Sequence, residues 1–70
     1  MIRIHVGRLL GERKMKMSEL SRETGIANNA LSDLYHEKVK GVQFETLDKI
    51  CKALNCSLFD LLEYVPDKQE

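Results

Sequence analysis

The stretch MSELSRETGIANNALSDLYH, residues 17–36, decides the fold of this chain. It contains two amphipathic segments separated by Gly25, and apolar residues recur in both segments at helical spacing. Gly25 can adopt the left-handed conformation that ends a helix, and Ile26 directly after it can turn inward. A small serine four residues before the glycine lets two helices cross closely. The stretch therefore predicts a helix-turn-helix, with helices over about 17–24 and 28–36.

Three further helices are predicted around this motif. The first runs from about residue 6 to 14, the fourth covers 44–54, and a short fifth covers 58–63 after a capping-box pattern at Ser57 to Asp60. Asn55 is the predicted left-handed end of the fourth helix. The core face of that helix is predicted to carry Phe44, Leu47, Ile50, Cys51 and Leu54.

Both ends of the chain contain short segments that favour β-strands. Residues 2–4 alternate apolar and polar side chains, and residues 63–65 include two β-favouring residues before Pro66. We expect the two segments to pair as a ribbon, which is too short to be stable alone and must lie on the helical core. The expected fold is all-α: one compact five-helix domain over residues 1–70, with this ribbon joining the termini and a polar tail over 67–70.

Composition limits the classes of function that are expected. Seventy residues bury only about 60% of their unfolded surface, which leaves little volume for a catalytic cleft. The chain has no Ser-His-Asp arrangement and no glycine-rich phosphate loop, so we expect no enzyme. His5 and His36 lack partners at metal-ligand spacing, while Cys51 and Cys56 predict reduced, partly buried thiols. We therefore expect no metal, no cofactor and no small-molecule ligand.

The distribution of charge is more informative than its sum. The formal net charge is zero. Residues 1–40 contain eight basic and five acidic groups, a net charge of +3, and residues 41–70 contain three basic and six acidic groups, a net charge of −3. The amino-terminal half is therefore suited to meet a polyanion. No apolar run is long enough for a signal peptide or a membrane span, so we expect a cytoplasmic protein without membrane contact.

The motif and the last third of the chain together resemble a known family. LSRETGIANNALSDLYHEKVK, followed by FETLDKICKALNCSLFDLLEY, is similar to the Cro/CI-type (Xre-like) helix-turn-helix transcription regulators of bacteria and phages. The resemblance covers about residues 6–64 and implies a lambda-repressor-like fold that binds double-stranded DNA as a dimer, with its third helix in the major groove. The DNA-facing positions implied by the resemblance are Met17, Ala27, Asn28, Asn29, Ser32, Asp33, Lys38 and Lys40.

Several of these positions have alternative interpretations that the residues leave open. Asn28 suits adenine recognition and helix capping equally well, whereas DNA contact is favoured over capping for Asn29. Ser32 contacts a base or a phosphate, or is simply solvated. Lys38 and Lys40 contact phosphates or, like many loop lysines, remain solvated.

Three positions depart from the family pattern and weaken the predicted DNA contact. Met17 cannot form a good hydrogen bond to phosphate, and Asp33 repels it. Ala27 lacks the side-chain oxygen that caps a recognition helix, a loss of about 1 kcal/mol. The leading interpretation is a dimeric repressor on a palindromic operator. The alternative is a protein-interaction module, such as an antitoxin or an adaptor, with weak or no DNA binding on the same fold.

The last third of the chain contains more large apolar side chains than a short terminal helix can bury. We expect Phe59, Leu62, Tyr64 and Val65 to form a two-fold dimer contact, unless the terminal ribbon covers them. In such a dimer the two recognition helices lie about 34 Å apart, which is one turn of DNA.

Overall fold

The computed structural model describes residues 1–66 of the chain. Its elements, in order, are β1 (Ile2–Ile4), α1 (Val6–Glu12), α2 (Met17–Thr24), α3 (Asn28–Tyr35), α4 (Phe44–Leu54), α5 (Leu58–Leu61) and β2 (Leu62–Tyr64). The described part is therefore mostly helical, with five helices and one small sheet. The predicted polar tail, 67–70, lies outside the described residues.

The core lies where the five helices meet and is aliphatic. Its buried side chains are Val6, Leu9, Leu10, Leu20, Leu31, Leu34, Leu47, Ile50, Leu54 and Leu61. Burial of each such side chain contributes about 1.5–3 kcal/mol, so the packing of these helices rather than their local propensity holds the fold. Helix α2 packs on both α3 and α4, which places the helix-turn-helix against the longest helix. Within residues 1–66, every helix is too short or too polar to traverse a bilayer.

Helix α4 has the predicted bounds, but one residue of its predicted core face is misplaced. Leu47, Ile50 and Leu54 are buried, as helical spacing requires. Cys51 is half-buried. Phe44, in contrast, is 88% exposed. It is the first residue of the helix, and helical side chains lean towards the N-terminus, so its ring extends past the edge of the core.

The two strands pair as predicted and run antiparallel, but β2 begins one residue earlier than expected. Ile2 lies opposite Tyr64, and Ile4 lies opposite Leu62. The fifth helix accordingly ends at Leu61, two residues before its predicted end. In the strand, Leu62 lies beside Ile4 and both pack against the core, so burial of this leucine overrides the local helical pattern.

Four helices are followed, within two residues, by a residue in the left-handed region. These residues are Lys14 (φ 53°), Gly25 (φ 77°), Glu37 (φ 57°) and Asn55 (φ 50°). Gly25 and Asn55 were predicted to end their helices in this way, and both predictions are confirmed. Lys14 and Glu37 carry side chains that make this conformation unfavourable, so contacts elsewhere must hold them in it.

Candidate nucleic-acid interface

The turn between α2 and α3 is closed by side chains of α2. Thr24 Oγ1 donates to the carbonyl of Leu20 at 2.7 Å and accepts from the amide of Ile26 at 3.2 Å. Ser21 Oγ donates to the carbonyl of Ile26 at 2.6 Å. The amide of Gly25 donates to the carbonyl of Ser21 at 2.8 Å. These short-range bonds satisfy the main chain at the turn, so the two helices meet at a defined angle.

Helix α3 presents polar residues away from the core. Leu31 and Leu34 are buried, and helical periodicity puts Asn29 and Asp33 on the opposite side, where both are exposed. Ser32 is half-buried, so it is less accessible than the sequence suggested. The polar groups that α3 exposes therefore include the amides of its two asparagines and the carboxylate of Asp33, and the helix contains no arginine or lysine.

The N-terminus of α3 distinguishes its two asparagines. Ala27 is the N-cap residue and, as predicted, supplies no side-chain hydrogen bond. Asn29 Oδ1 accepts from the amide of Ala30 at 2.9 Å, so Asn29, for which capping was disfavoured, does satisfy a helix amide. Asn28 makes no side-chain hydrogen bond to any residue within 1–66. Its carboxamide therefore has no partner within residues 1–66, whereas the oxygen of Asn29 already accepts one hydrogen bond.

The remaining predicted DNA-facing residues differ in accessibility. Met17 opens α2, but its half-buried side chain packs against the core. Lys38 and Lys40 are exposed in the loop after α3, and neither has an ion-pair partner in the described part of the chain. Asp33 lines a groove of about 210 Å³ between α3 and the loop before α4, with Val39 on its other side.

The loop after α3 is tied to the N-terminal strand by a residue that the sequence did not single out. Glu37 Oε1 accepts from Arg3 Nε at 2.8 Å and from the amide of Ile4 at 3.0 Å, and its Oε2 accepts from Arg3 Nη2 at 2.9 Å. We call this arrangement the Arg3–Glu37 clamp. The hydrogen bond from Arg3, with the Ile4 amide second, lowers the pKa of Glu37 to about 2. Because 34 residues separate the pair, no sequence spacing could have indicated it.

Two other predictions concern side chains with ligand chemistry. His5 Nε2 lies 2.7 Å from Glu63 Oε1, a pair that the ribbon brings together and that the sequence did not single out. Residues 1–66 contain no group of three or more histidine, cysteine or acidic side chains able to hold a metal ion. Cys51 and Cys56 are free and half-buried, as predicted. The pKa of the Cys56 thiol is raised, mainly by its burial and secondly by the neighbouring Cys51.

The four predicted dimer residues fall into two pairs. Leu62 and Val65 are half-buried, and Leu62 packs against the core as part of the ribbon. Phe59 and Tyr64 are 93% and 68% exposed. The ribbon therefore covers the first pair in part and leaves the second pair to solvent.

Phe44 lies between two shallow grooves and joins them into one apolar surface. It lines one groove of about 300 Å³ with Leu58 and Asp48, and a second of about 270 Å³ with Ile2 and Lys40. We call the exposed residues of this region the Phe44 surface: Ile2, Phe44, Leu58 and Tyr64, the last being the strand partner of Ile2.

We call the loop after α3, which carries Lys38 and Lys40, the lysine loop. Together with the glycine turn and the polar residues of α3, it is typical of a helix-turn-helix DNA-binding protein. Residues 5–67 match the Cro/C1-type HTH DNA-binding domain, and the chain belongs to this family. Over 65 residues it is 43% identical to the uncharacterized HTH-type transcriptional regulator YozG of Bacillus subtilis (strain 168). That alignment covers 93% of this chain and 77% of YozG. The resemblance seen in the sequence is thereby confirmed.

Proposed function

We propose that this protein is a sequence-specific transcriptional repressor that binds a palindromic operator as a homodimer. The observation that carries the proposal is the exposed polar face of α3, oriented by a turn whose main-chain groups are satisfied. Membership of a DNA-binding family and similarity to a transcriptional regulator support the same reading. As a bacterial or phage regulator it would meet its operator in the cytoplasm.

Helix α3 reads bases in this proposal. The carboxamide of Asn28 can bind adenine, because its amino group can donate to N7 of the base and its oxygen can accept from the N6 amino group. Asn29 adds its amino group as a donor. The phosphate backbone of DNA is contacted by Ser32 and by the main-chain amides at the N-termini of α2 and α3, which begin after Lys16 and Ala27. Met17 then supports this surface by packing. Asp33 restricts the affinity because its carboxylate lies near phosphates.

The lysine loop supplies the electrostatic part of binding. Lys38 and Lys40 have no internal ion pair within residues 1–66, so each can neutralise a phosphate without first breaking a contact. Each neutralised phosphate makes log K fall by about 0.9 for every tenfold increase in salt. Because the chain has no net charge, these two lysines carry a large share of the attraction to DNA.

Dimerisation is proposed to occur through the Phe44 surface, together with Phe59. The three most exposed aromatic side chains, Phe44, Phe59 and Tyr64, offer on the order of 500 Å². A standard interface takes about 800 Å² from each partner, so they supply much of what a stable dimer needs. A two-fold contact would place this surface against the same surface of a second copy.

Selection of binding sites from a random duplex library tests the DNA-binding proposal. We expect a palindromic site, bound more weakly as salt rises. Lys38→Ala and Lys40→Ala each reduce the salt slope by about 0.9, and Lys52→Ala, an exposed lysine on α4, serves as the matched control. Asn28→Ala costs about 1–3 kcal/mol at the contacted base. Absence of salt-dependent duplex binding would exclude this function and favour the protein-interaction module.

Sedimentation equilibrium of Phe44→Ala tests the dimer proposal. Since the ring is 88% exposed, the substitution leaves the core unchanged. We expect the wild-type chain to be dimeric and the variant to be monomeric with an unchanged circular dichroism spectrum. A variant that dimerises as strongly as the wild type would show that the copies meet elsewhere.

A further inference from the structure

The chain leaves α3 through a left-handed residue that is not glycine, as it also does after α1 and α4. The amide of Glu37 donates to the carbonyl of Leu34 at 3.1 Å, and the amide of Lys38 donates to that of Asp33 at 2.8 Å. This pair of bonds is the Schellman motif, in which the left-handed residue is usually glycine because a Cβ disfavours the conformation. Here a glutamate occupies the position with φ of 57°. Helix ending alone does not explain that choice, since glycine would end the helix better.

The side chain of Glu37 provides the explanation. Both carboxylate oxygens are engaged by the fork of Arg3, and one of them also accepts from the amide of Ile4. A bidentate arginine contact fixes direction as well as distance. The left-handed backbone thus aims this side chain at β1, and β1 holds the point at which the chain leaves α3.

The next residues along the chain are the proposed phosphate ligands. Lys38 follows Glu37 directly, and its amide is part of the same helix end. Lys40 lies two residues further and lines the groove that also contains Ile2 and Ile4 of β1. The path of the lysine loop is therefore set from one side by α3 and from the other by β1.

We infer that Arg3 and Glu37 are positioning residues for DNA binding, holding the loop that carries Lys38 and Lys40 in register with α3. The inference rests on the proposed function. Neither residue of the clamp contacts DNA in this role. The guanidinium of Arg3 is bound to Glu37, and Glu37 acts by fixing the position of the lysines that follow it.

Electrostatics and positioning predict opposite results for the removal of Glu37. If the glutamate were only a surface charge, its loss would strengthen binding to a polyanion. If it positions the lysines, its loss weakens binding even though the protein becomes more positive. Glu23 on α2 is a matched control, since it is an exposed glutamate without a side-chain partner in the described residues.

The experiment is a fluorescence anisotropy titration of the whole chain with a short labelled duplex of random sequence, between about 50 and 200 mM salt. Such a duplex reports phosphate contacts without knowledge of the operator. We expect Glu37→Ala to bind about three- to tenfold more weakly than the wild type, with a reduced salt slope. Glu23→Ala should bind as tightly as the wild type or more tightly. Arg3→Gln should match Glu37→Ala, and the double variant should be no weaker than either.

The outcomes separate this inference from the proposed function. If the wild type shows no salt-dependent binding, the proposed function fails and the inference fails with it. If the wild type binds and Glu37→Ala binds equally or more tightly, only the positioning role is wrong. Circular dichroism checks the fold of each variant. Should Glu37→Ala lose its fold, the exchanged pair Arg3→Glu with Glu37→Arg decides. It restores the ion pair but not the bond from the Ile4 amide, so it binds more tightly than either Arg3→Glu or Glu37→Arg alone if the clamp positions the loop, and no more tightly than the tighter of them if it does not.

Discussion

The two helices of the helix-turn-helix end in the same backbone conformation but are held there by different means. Helix α2 ends at Gly25, and the bonds that close its turn come from Ser21 and Thr24 in the same helix. Helix α3 ends at Tyr35, and the left-handed residue beyond it, Glu37, has its side chain held by Arg3 of β1, at the start of the chain. The angle within the motif is therefore set locally. The exit from the recognition helix depends on the terminal ribbon.

Substitution of Gly25 by valine should produce the largest loss of stability. Nothing lies within 4 Å of a Cβ built at this position, so an added Cβ meets open space and the cost comes mainly from the backbone conformation. A β-branched residue at φ of 77° costs about 2 kcal/mol in the free energy of unfolding. Urea denaturation measures the loss, and Gly25→Ala should lose about half as much. Equal stability of all three proteins would mean that the turn can close without the left-handed residue.

The local character of this turn explains why the sequence predicted it. Its requirements, a small residue, a glycine and an apolar residue, all lie within residues 21–26. The same holds for Asn55 at the end of α4, and for the Ser57 amide, which donates to Asp60 Oδ2 at 3.1 Å as the capping pattern indicated. Features that short stretches of chain determine by themselves were predicted correctly.

The pairing of the two ends of the chain was predicted, but several other features that depend on distant parts of the chain were missed. Helical spacing put Phe44 on the core face of α4, but no periodicity shows where a core ends. The start of β2 at Leu62 follows from packing beside Ile4 on the other strand. The partner of Glu37 is 34 residues away. For the proposed DNA contacts, the sequence named the side chains but could not show that Asn29 caps the helix and Asn28 does not.

Acid titration should show how much the ion pair between Arg3 and Glu37 contributes to the stability of the fold. The hydrogen bond from Arg3 lowers the pKa of Glu37 from 4.5 to about 2. A carboxylate with a lowered pKa stabilises the fold above its unfolded pKa, and this contribution is lost as the pH falls through the folded value. The melting temperature of the wild type should therefore drop between about pH 4.5 and pH 2. Glu37→Gln, which does not titrate, should lose less over the same window, and an identical pH profile would rule out the clamp in solution.

Glycine substitution at two helix ends should give the smallest effects and separate strain from clamping. Lys14 and Glu37 have similar left-handed angles, but only Glu37 has a side-chain partner in the described residues. Lys14→Gly removes a conformational cost of about 1–2 kcal/mol and adds a flexibility cost of about 0.5–1 kcal/mol, so it should stabilise by about 0.5 kcal/mol. Glu37→Gly removes the same strain but also the clamp, so it should stabilise less than Lys14→Gly or destabilise. Thermal unfolding at neutral pH compares the two variants, and an equal gain at both positions would mean that the contact with β1 adds nothing to the stability of the α3 exit.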